Sequence, residues 1–228
     1  MFFGGRANYR SSMGAQASSE LFSTWLTGWS TCRGYEPHDD GSTTSVVHTD
    51  RDKETEHFLY EPSTELFLKI AEETKADPTR TLSVVTSRLQ ELIGAADPLG
   101  MRILDRKQSL MSADMQAQDV EDPRLPDDGY SFERQREAGC QYVSVSFDGE
   151  HAAHGSAAVV GDYAVFDRIV TEDKFRRRGL ATFVMRALIA GALEEDVRTG
   201  LLLTTAEGRA LYEFLGWEHL TDVFVIRG

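Results

Sequence analysis

The segment Glu172-Asp173-Lys174-Phe175-Arg176-Arg177-Arg178-Gly179-Leu180-Ala181 gathers the residues of this 228-residue chain best suited to chemistry. It follows a strand-like run, Tyr163–Thr171. It opens a stretch from Gly179 to Leu193 with apolar residues at Leu180, Val184, Ala187, Leu188 and Gly191, the spacing of one buried helix face. A helix N-terminus presents backbone N–H groups that lack intrahelical partners, and its dipole favours an anion. Gly179 and Ala181 leave room for a phosphate to approach the main chain, while Arg176, Arg177 and Arg178 add charge and paired donors. The chemistry that follows is phosphate binding. A solvated basic turn with an ordinary glycine would look the same if nothing surrounded it.

Other reactive side chains are weaker signals. Asp167, in the strand before the loop, shares a face with Ile169 and Thr171 and is a candidate general base; an ion pair with Arg168 explains it equally well. Glu172 is a second carboxylate in reach, with three arginines as its obvious partners. His151 and His154 have metal-like spacing but flank a hairpin turn without thiolate or helical carboxylate partners, so no metal site is expected. The acids between Met115 and Gly129 lack the ordered spacing of a calcium loop. Trp25 and Trp29 sit at helical spacing and read as core.

These residues need elements to hold them. Leu21, Phe22, Trp25, Leu26 and Trp29 predict a helix ending near Gly34. Strands follow at Thr44–Thr49 and His57–Tyr60, a helix opened by Pro62-Ser63-Thr64-Glu65, a strand at Thr81–Thr86, a helix at Leu89–Ala96 and a strand around Met101–Asp105. Residues 115–129, with Pro123, Pro126 and five acids, read as a linker between an N-terminal region (20–114) and a C-terminal domain (130–228). In the latter, strands at Tyr130–Arg136, Gln141–Phe147, Ala152–Val160 and Tyr163–Thr171 precede the helix already noted. A short strand Leu201–Leu203, a helix Ala206–Leu215 capped by Thr204-x-x-Glu207, and a strand Asp222–Ile226 complete it. This order predicts an α/β (α+β) fold with a mixed, mostly antiparallel sheet flanked by helices.

Composition bounds the function. The net charge of −13 and pI of about 4.9 speak against nucleic-acid and anionic-membrane partners, which select basic surfaces. Cys32 and Cys140 form no CxxC pair or zinc spacing and are expected to be reduced thiols. No apolar run spans a bilayer and residues 1–19 have no apolar core of a signal peptide, so the expectation is a flexible tail on a cytoplasmic protein.

Two blocks in register add a resemblance. Arg176-x-x-Gly179-x-Ala181 resembles the pyrophosphate motif of the GNAT acyltransferase superfamily, Gln/Arg-x-x-Gly-x-Gly/Ala. Ala210-Leu211-Tyr212-Glu213-Phe214-Leu215-Gly216-Trp217 resembles its late LYxxLGF/W segment, and Ala164–Thr171 with the loop resembles a bacterial branch of such enzymes. The likeness covers about residues 130–228. It implies transfer of an acetyl group from acetyl-CoA to an amine by direct attack in a ternary complex. The pyrophosphate would lie on Arg176, Arg177, Arg178, Gly179, Leu180 and Ala181, and the pantetheine arm on the main chain of Ile169, Val170 and Thr171. It also implies that Tyr212 protonates the departing thiolate, with packing beside Leu211 and Leu215 as the other explanation of that tyrosine. Thr205 stands where many relatives have asparagine, and its type suits a helix cap.

The superfamily has helices between its first two strands, for which Tyr130–Arg136 and Gln141–Phe147 leave no room. The N-terminal half therefore supplies cover, or is itself a degenerate GNAT-like repeat without the phosphate loop. The expected acceptor is a small-molecule amine or amino acid, and the expected assembly a monomer or homodimer. The competing readings are a non-catalytic acyl-CoA sensor and an enzyme acylating protein or tRNA; the acidic charge disfavours tRNA.

Overall fold

The computed structural model describes residues 18–50, 54–120 and 124–228; most of the expected tail, residues 1–17, lies outside them. Helix α1, Ser19–Arg33, begins where the Ser18 side chain accepts the Leu21 N–H and ends at Gly34 with φ +66°, a left-handed position that glycine occupies without a Cβ clash. Strands β1 (His38–Asp39), β2 (Thr44–Val47) and β3 (Thr55–Tyr60) lead to α2, Thr64–Ala76, capped by Ser63. Then come β4 (Arg80–Thr86), α3 (Leu89–Ala96) and β5 (Arg102–Asp114). The second half contains β6 (Tyr130–Glu137), β7 (Cys140–Phe147), β8 (Glu150–Val160) and β9 (Tyr163–Thr171). It continues with α4 (Leu180–Leu193), β10 (Thr199–Thr205), α5 (Ala206–Phe214) and β11 (Glu218–Arg227).

The eleven strands of the described residues form one sheet in the order β1-β2-β3-β4-β11-β5-β10-β9-β8-β7-β6. Only β3/β4 and β9/β10 run parallel. Each half repeats strand, helix, strand, helix, strand: β3-α2-β4-α3-β5 and β9-α4-β10-α5-β11. The closing strands are exchanged, β11 pairing with β4 and β5 with β10, and they pair with each other at the centre. The halves thus share one sheet.

Successive residues alternate between its faces. Val165, Leu201, Leu110 and Val223 meet Trp25, Leu26 and Trp29 of α1. Their neighbours Phe166, Leu202 and Met111 meet α4 on the opposite face, where Val84 and Phe224 also pack against α2 and α3. The tight hairpin from β6 to β7 leaves no helix between them; α1 covers the sheet there. Its Gly28 is required, because a Cβ would stand 2.5 Å from Val165 Cβ.

Three expectations change. The strand around Met101–Asp105 extends to Asp114 and the strand at Asp222–Ile226 begins at Glu218, because both are central strands whose polar residues find ladder partners on either side. The stretch read as linker is partly core: Met115 is fully buried and Val120 and Leu125 pack against the α4 cluster. Cys32 and Cys140, expected as thiols, form a disulfide with Cα atoms 5.2 Å apart. They lie 108 residues apart in sequence, so only the docking of the α1 C-terminus on β7 brings them together. The pairing removes the argument for a reducing compartment that free thiols supplied.

Candidate active site at a strand fork

Strand β9 pairs with β10 only from Tyr163↔Thr199 to Phe166↔Leu202. Beyond that, β10 continues along β5 to Thr205↔Gln108, while β9 bends away. The bend is a bulge: the register against β8 shifts between His154 and Ser156, and Arg168 has φ +53°. One extra residue on a strand bends it and increases its twist, and a non-glycine residue in this region stores strain of about 1–3 kcal/mol. Arg168 is held by Asp50 at 3.1 Å. Gly155, opposite the bulge, admits Ile169: a Cβ there would be 2.5 Å from Ile169 Cδ1 and 2.6 Å from Val184 Cγ1.

After the fork, a 3-10 turn, Asp173–Phe175, anchors the loop through buried Phe175, which meets Tyr130 and Phe147. Arg177 and Gly179 have φ of +59° and +81°. The N-terminus of α4 has no side-chain cap, so the first-turn N–H groups remain available for an anion. A Cβ on Gly179 would meet nothing within 4 Å, so the space over the loop is open.

The resulting groove has a volume of about 570 Å³. Ile169, Val170, Thr171, Arg176, Arg177, Gly179, Leu180 and Ala181 all line it. Arg178 does not: it donates to the Tyr130 hydroxyl (3.1 Å) and the Lys174 carbonyl (3.2 Å) and stacks near Phe175, bracing the loop from behind. The other wall is Thr205, Glu207, Gly208 and Leu211 at the start of α5; of these, sequence reasoning singles out only Thr205 and misses the rest as groove lining. The α5 cap is Thr205, as its type suggests, accepting from Gly208 N at 3.2 Å; the cap thus falls one residue after Thr204 of the expected Thr204-x-x-Glu207 box.

Tyr212 lies beneath this groove rather than in its wall. It is buried beside Trp217, which in turn meets Phe166 edge-on. Burial first, then the negative charge of Asp167, pushes its phenol well above the ordinary tyrosine range, which keeps it protonated.

Asp167 sits at the fork. Both of its oxygens accept from Arg33, at 2.7 and 2.9 Å, and its carbonyl accepts from Ser156. Arg33 also lies over Trp29 at 4.8 Å. Burial works against its charge, but the bonds to Asp167 outweigh that and raise its pKa. The partner is thus Arg33 of α1, and Arg168 binds elsewhere. No sequence signal links residues 134 positions apart. Glu172 remains outside the groove lining.

The N-terminal half lacks an equivalent fork. There β3 and β4 stay paired to Tyr60↔Val85, and Glu61 accepts from Ser87 N (2.5 Å) and Thr86 Oγ1 (3.1 Å), stitching the strand ends together. Among the described residues no group of three or more His, Cys, Asp or Glu could hold a metal; His151 and His154 contact each other at 2.9 Å without a third ligand.

The comparisons find the same architecture, a mixed, mostly antiparallel sheet flanked by helices, in solved structures. Residues 107–217 match the model of the Acetyltransferase (GNAT) family. The match begins within β5, ahead of the boundary expected at residue 130. Among curated protein sequences none matches. A GCN5-related N-acetyltransferase from Kribbella flavida shares the fold with a TM-score of 0.65 at 14% identity, over 93% of this chain and 96% of that one. An acetyltransferase-family structure from Novosphingobium aromaticivorans gives 0.55 at 17% identity, over 90% and 95%. A tandem GNAT protein from the clavulanic acid biosynthesis pathway gives 0.55 at 13% identity, over 82% and 78%. No described helix is long and apolar enough to cross a membrane.

Proposed function

We propose that the protein transfers an acetyl group from acetyl-CoA to a primary amine of a small molecule or amino acid, by direct attack in a ternary complex. One observation carries this: the open fork of β9 and β10 and the uncapped α4 N-terminus line the same groove. In this reading the N–H groups around Gly179, Leu180 and Ala181 bind the pyrophosphate, with Arg176 and Arg177 neutralising its charge. Arg178 fixes the loop from the Tyr130 side. The main chain of Ile169, Val170 and Thr171, laddered to β8 but without a strand partner on the β10 side, takes the pantetheine amides and supplies an N–H to the oxygen that gains charge during attack.

Tyr212 is assigned as the acid for the departing thiolate, since its environment holds the phenol protonated. Asp167 carries the base assignment less well. Both of its oxygens already accept from the Arg33 guanidinium, which directs the carboxylate towards α1 rather than towards an acceptor amine. We therefore assign Asp167 to positioning at the fork, with the amine losing its proton through solvent.

The burial of Tyr212 and the occupied Asp167 also support a second reading, a domain that binds acyl-CoA without turning it over. The two separate cleanly. Release of free CoA thiol from acetyl-CoA with an amine panel, depressed in Tyr212→Phe, supports the enzyme. Tight acetyl-CoA binding without thiol release, unchanged in Tyr212→Phe, supports the sensor and overturns catalysis.

A further inference from the structure

A second cavity, of about 290 Å³, opens on the α1 face of the sheet. Leu203 lines it and is the first β10 residue beyond the last pair with β9; Arg33, which holds Asp167, lines it too. The cavity therefore reaches the fork from the face opposite α4. Its remaining polar wall comes mainly from the N-terminal half and β5: Glu54, Glu56, Asp105 and His48.

The charges do not balance. Arg33 is already committed to both oxygens of Asp167, and Glu54 is paired with Arg227 at 2.7 Å. Glu56 receives hydrogen bonds from His48 Nε2 (2.8 Å) and Ser83 Oγ (2.5 Å). Asp105 receives them from Gln108 Nε2 (3.0 Å) and Lys107 N (3.1 Å). Neither is paired with a lysine or arginine among the described residues. His48 is 2% exposed, and its Nδ1 has no hydrogen-bond partner, the nearest carboxylate oxygen, on Asp50, being 3.9 Å away. A pocket with two carboxylates that have no lysine or arginine partner among the described residues, and a buried ring nitrogen without a hydrogen-bond partner, is suited to a cationic ligand with hydrogen-bonding capacity.

Resting on the proposed transferase reading, we infer that the acceptor is a small diamine or polyamine, its second ammonium held by Glu56 and Asp105 while the reacting nitrogen sits at the fork. The reasoning turns on protonation. An amine attacks only through a free lone pair, so the nitrogen that reacts must be neutral. An ammonium bound by carboxylates must then be a different nitrogen of the same molecule. The reaction balances simply: the neutral amine forms the N–C bond, the C–S bond breaks, and the proton shed by nitrogen matches the one taken by the thiolate. An acceptor bearing its own carboxylate would meet Glu56 and Asp105 with like charge. The N-terminal half, which has no phosphate loop, thereby supplies acceptor selectivity.

The test uses the full chain and three amines of similar length: 1,4-diaminobutane, butylamine and 4-aminobutyrate. Acetyl-CoA binding is measured first by calorimetry, then kcat/KM for each amine. The expected result is about a tenfold preference for 1,4-diaminobutane over butylamine, with 4-aminobutyrate lowest. In Asp105→Asn and Glu56→Gln the diamine-to-butylamine ratio falls towards one, with melting curves verifying the fold and Asp105→Asn serving if the variant at the part-buried Glu56 does not fold. A ratio near one in the unmodified protein, or a ratio that survives both substitutions, overturns the inference and leaves the transferase reading standing. If acetyl-CoA does not bind, the transferase reading fails. Calorimetry with the amines alone then decides the site: tenfold tighter diamine binding, lost in Asp105→Asn, upholds a cation pocket, and equal binding removes it.

Discussion

Removing the link between Cys32 and Cys140 perturbs the one covalent contact between α1 and the second half of the sheet. The bridge closes a loop of 108 residues, for which the loss of unfolded-chain entropy gives about 4.8 kcal/mol at 25 °C. Strain and residual structure in the unfolded chain reduce measured values, so ~3–5 kcal/mol is the expected effect. For a chain of this size each kcal/mol moves the melting temperature by about 2–4 °C, giving a drop of roughly 6–20 °C. The assay is calorimetric melting of oxidised protein, dithiothreitol-reduced protein and the Cys32→Ser/Cys140→Ser variant, with thiols titrated in denaturant before each run. The oxidised sample should show no free thiol and the reduced sample two, since the chain has two cysteines. Cys32 adjoins Arg33, so the reduced form should also lose stability at the Arg33–Asp167 pair. Oxidised and reduced proteins melting within a degree or two of each other would refute the loop argument. Two free thiols after oxidative purification would refute the pairing itself.

Three further outcomes follow from the site. Tyr212→Phe should lower kcat by about 10²-fold with KM little changed, as expected for loss of a general acid. Because the folded-state phenol titrates above its unfolded value near 10, its contribution to stability is intact below pH 10 and is lost as pH rises beyond it. The kcat profile should accordingly show no falling limb from this group up to pH 10. Gly155→Ala should cost ~1–3 kcal/mol and weaken acetyl-CoA binding, since Ile169 and Val184 must move; unchanged melting and affinity would contradict the bulge argument. Arg33→Ala leaves a carboxylate 13% exposed without its partner and should destabilise by ~2–3 kcal/mol, less than the full 3–5 of a completely buried pair. Urea denaturation of that variant and of Arg33→Ala/Asp167→Asn measures it, the double variant recovering part of the loss.

What could be read from residue order was local. Apolar spacing placed α1 and α3, and glycine at 34 ended α1 where expected, because caps and periodicity depend on residues a few positions apart. The phosphate loop was legible for the same reason: its glycine, its arginines and the helix it opens are contiguous. Long-range features were not. The Arg33–Asp167 clamp, the Cys32–Cys140 bridge and the exchange of β5 and β11 each join segments more than one hundred residues apart or depend on which strands become neighbours. Arg178 shows the limit within the loop itself. Three consecutive arginines look alike in sequence, and only the Tyr130 hydroxyl and Phe175 ring determine which one turns inward. The resemblance implied a pantetheine arm along Ile169–Thr171, yet the left-handed Arg168 that opens the fork there carries no signal, since arginine has no special preference for that backbone region.

The central claim is that residues 176–181 cradle the pyrophosphate of acetyl-CoA at the fork of β9 and β10. A co-crystal structure with acetyl-CoA tests it most directly. The account predicts the pyrophosphate on the N–H groups at the start of α4, between Arg176 and Arg177, with the pantetheine arm along Val170 and the thioester directed into the fork above Tyr212. A pyrophosphate bound away from this loop, or a fork closed by β9 rejoining β10, would contradict it.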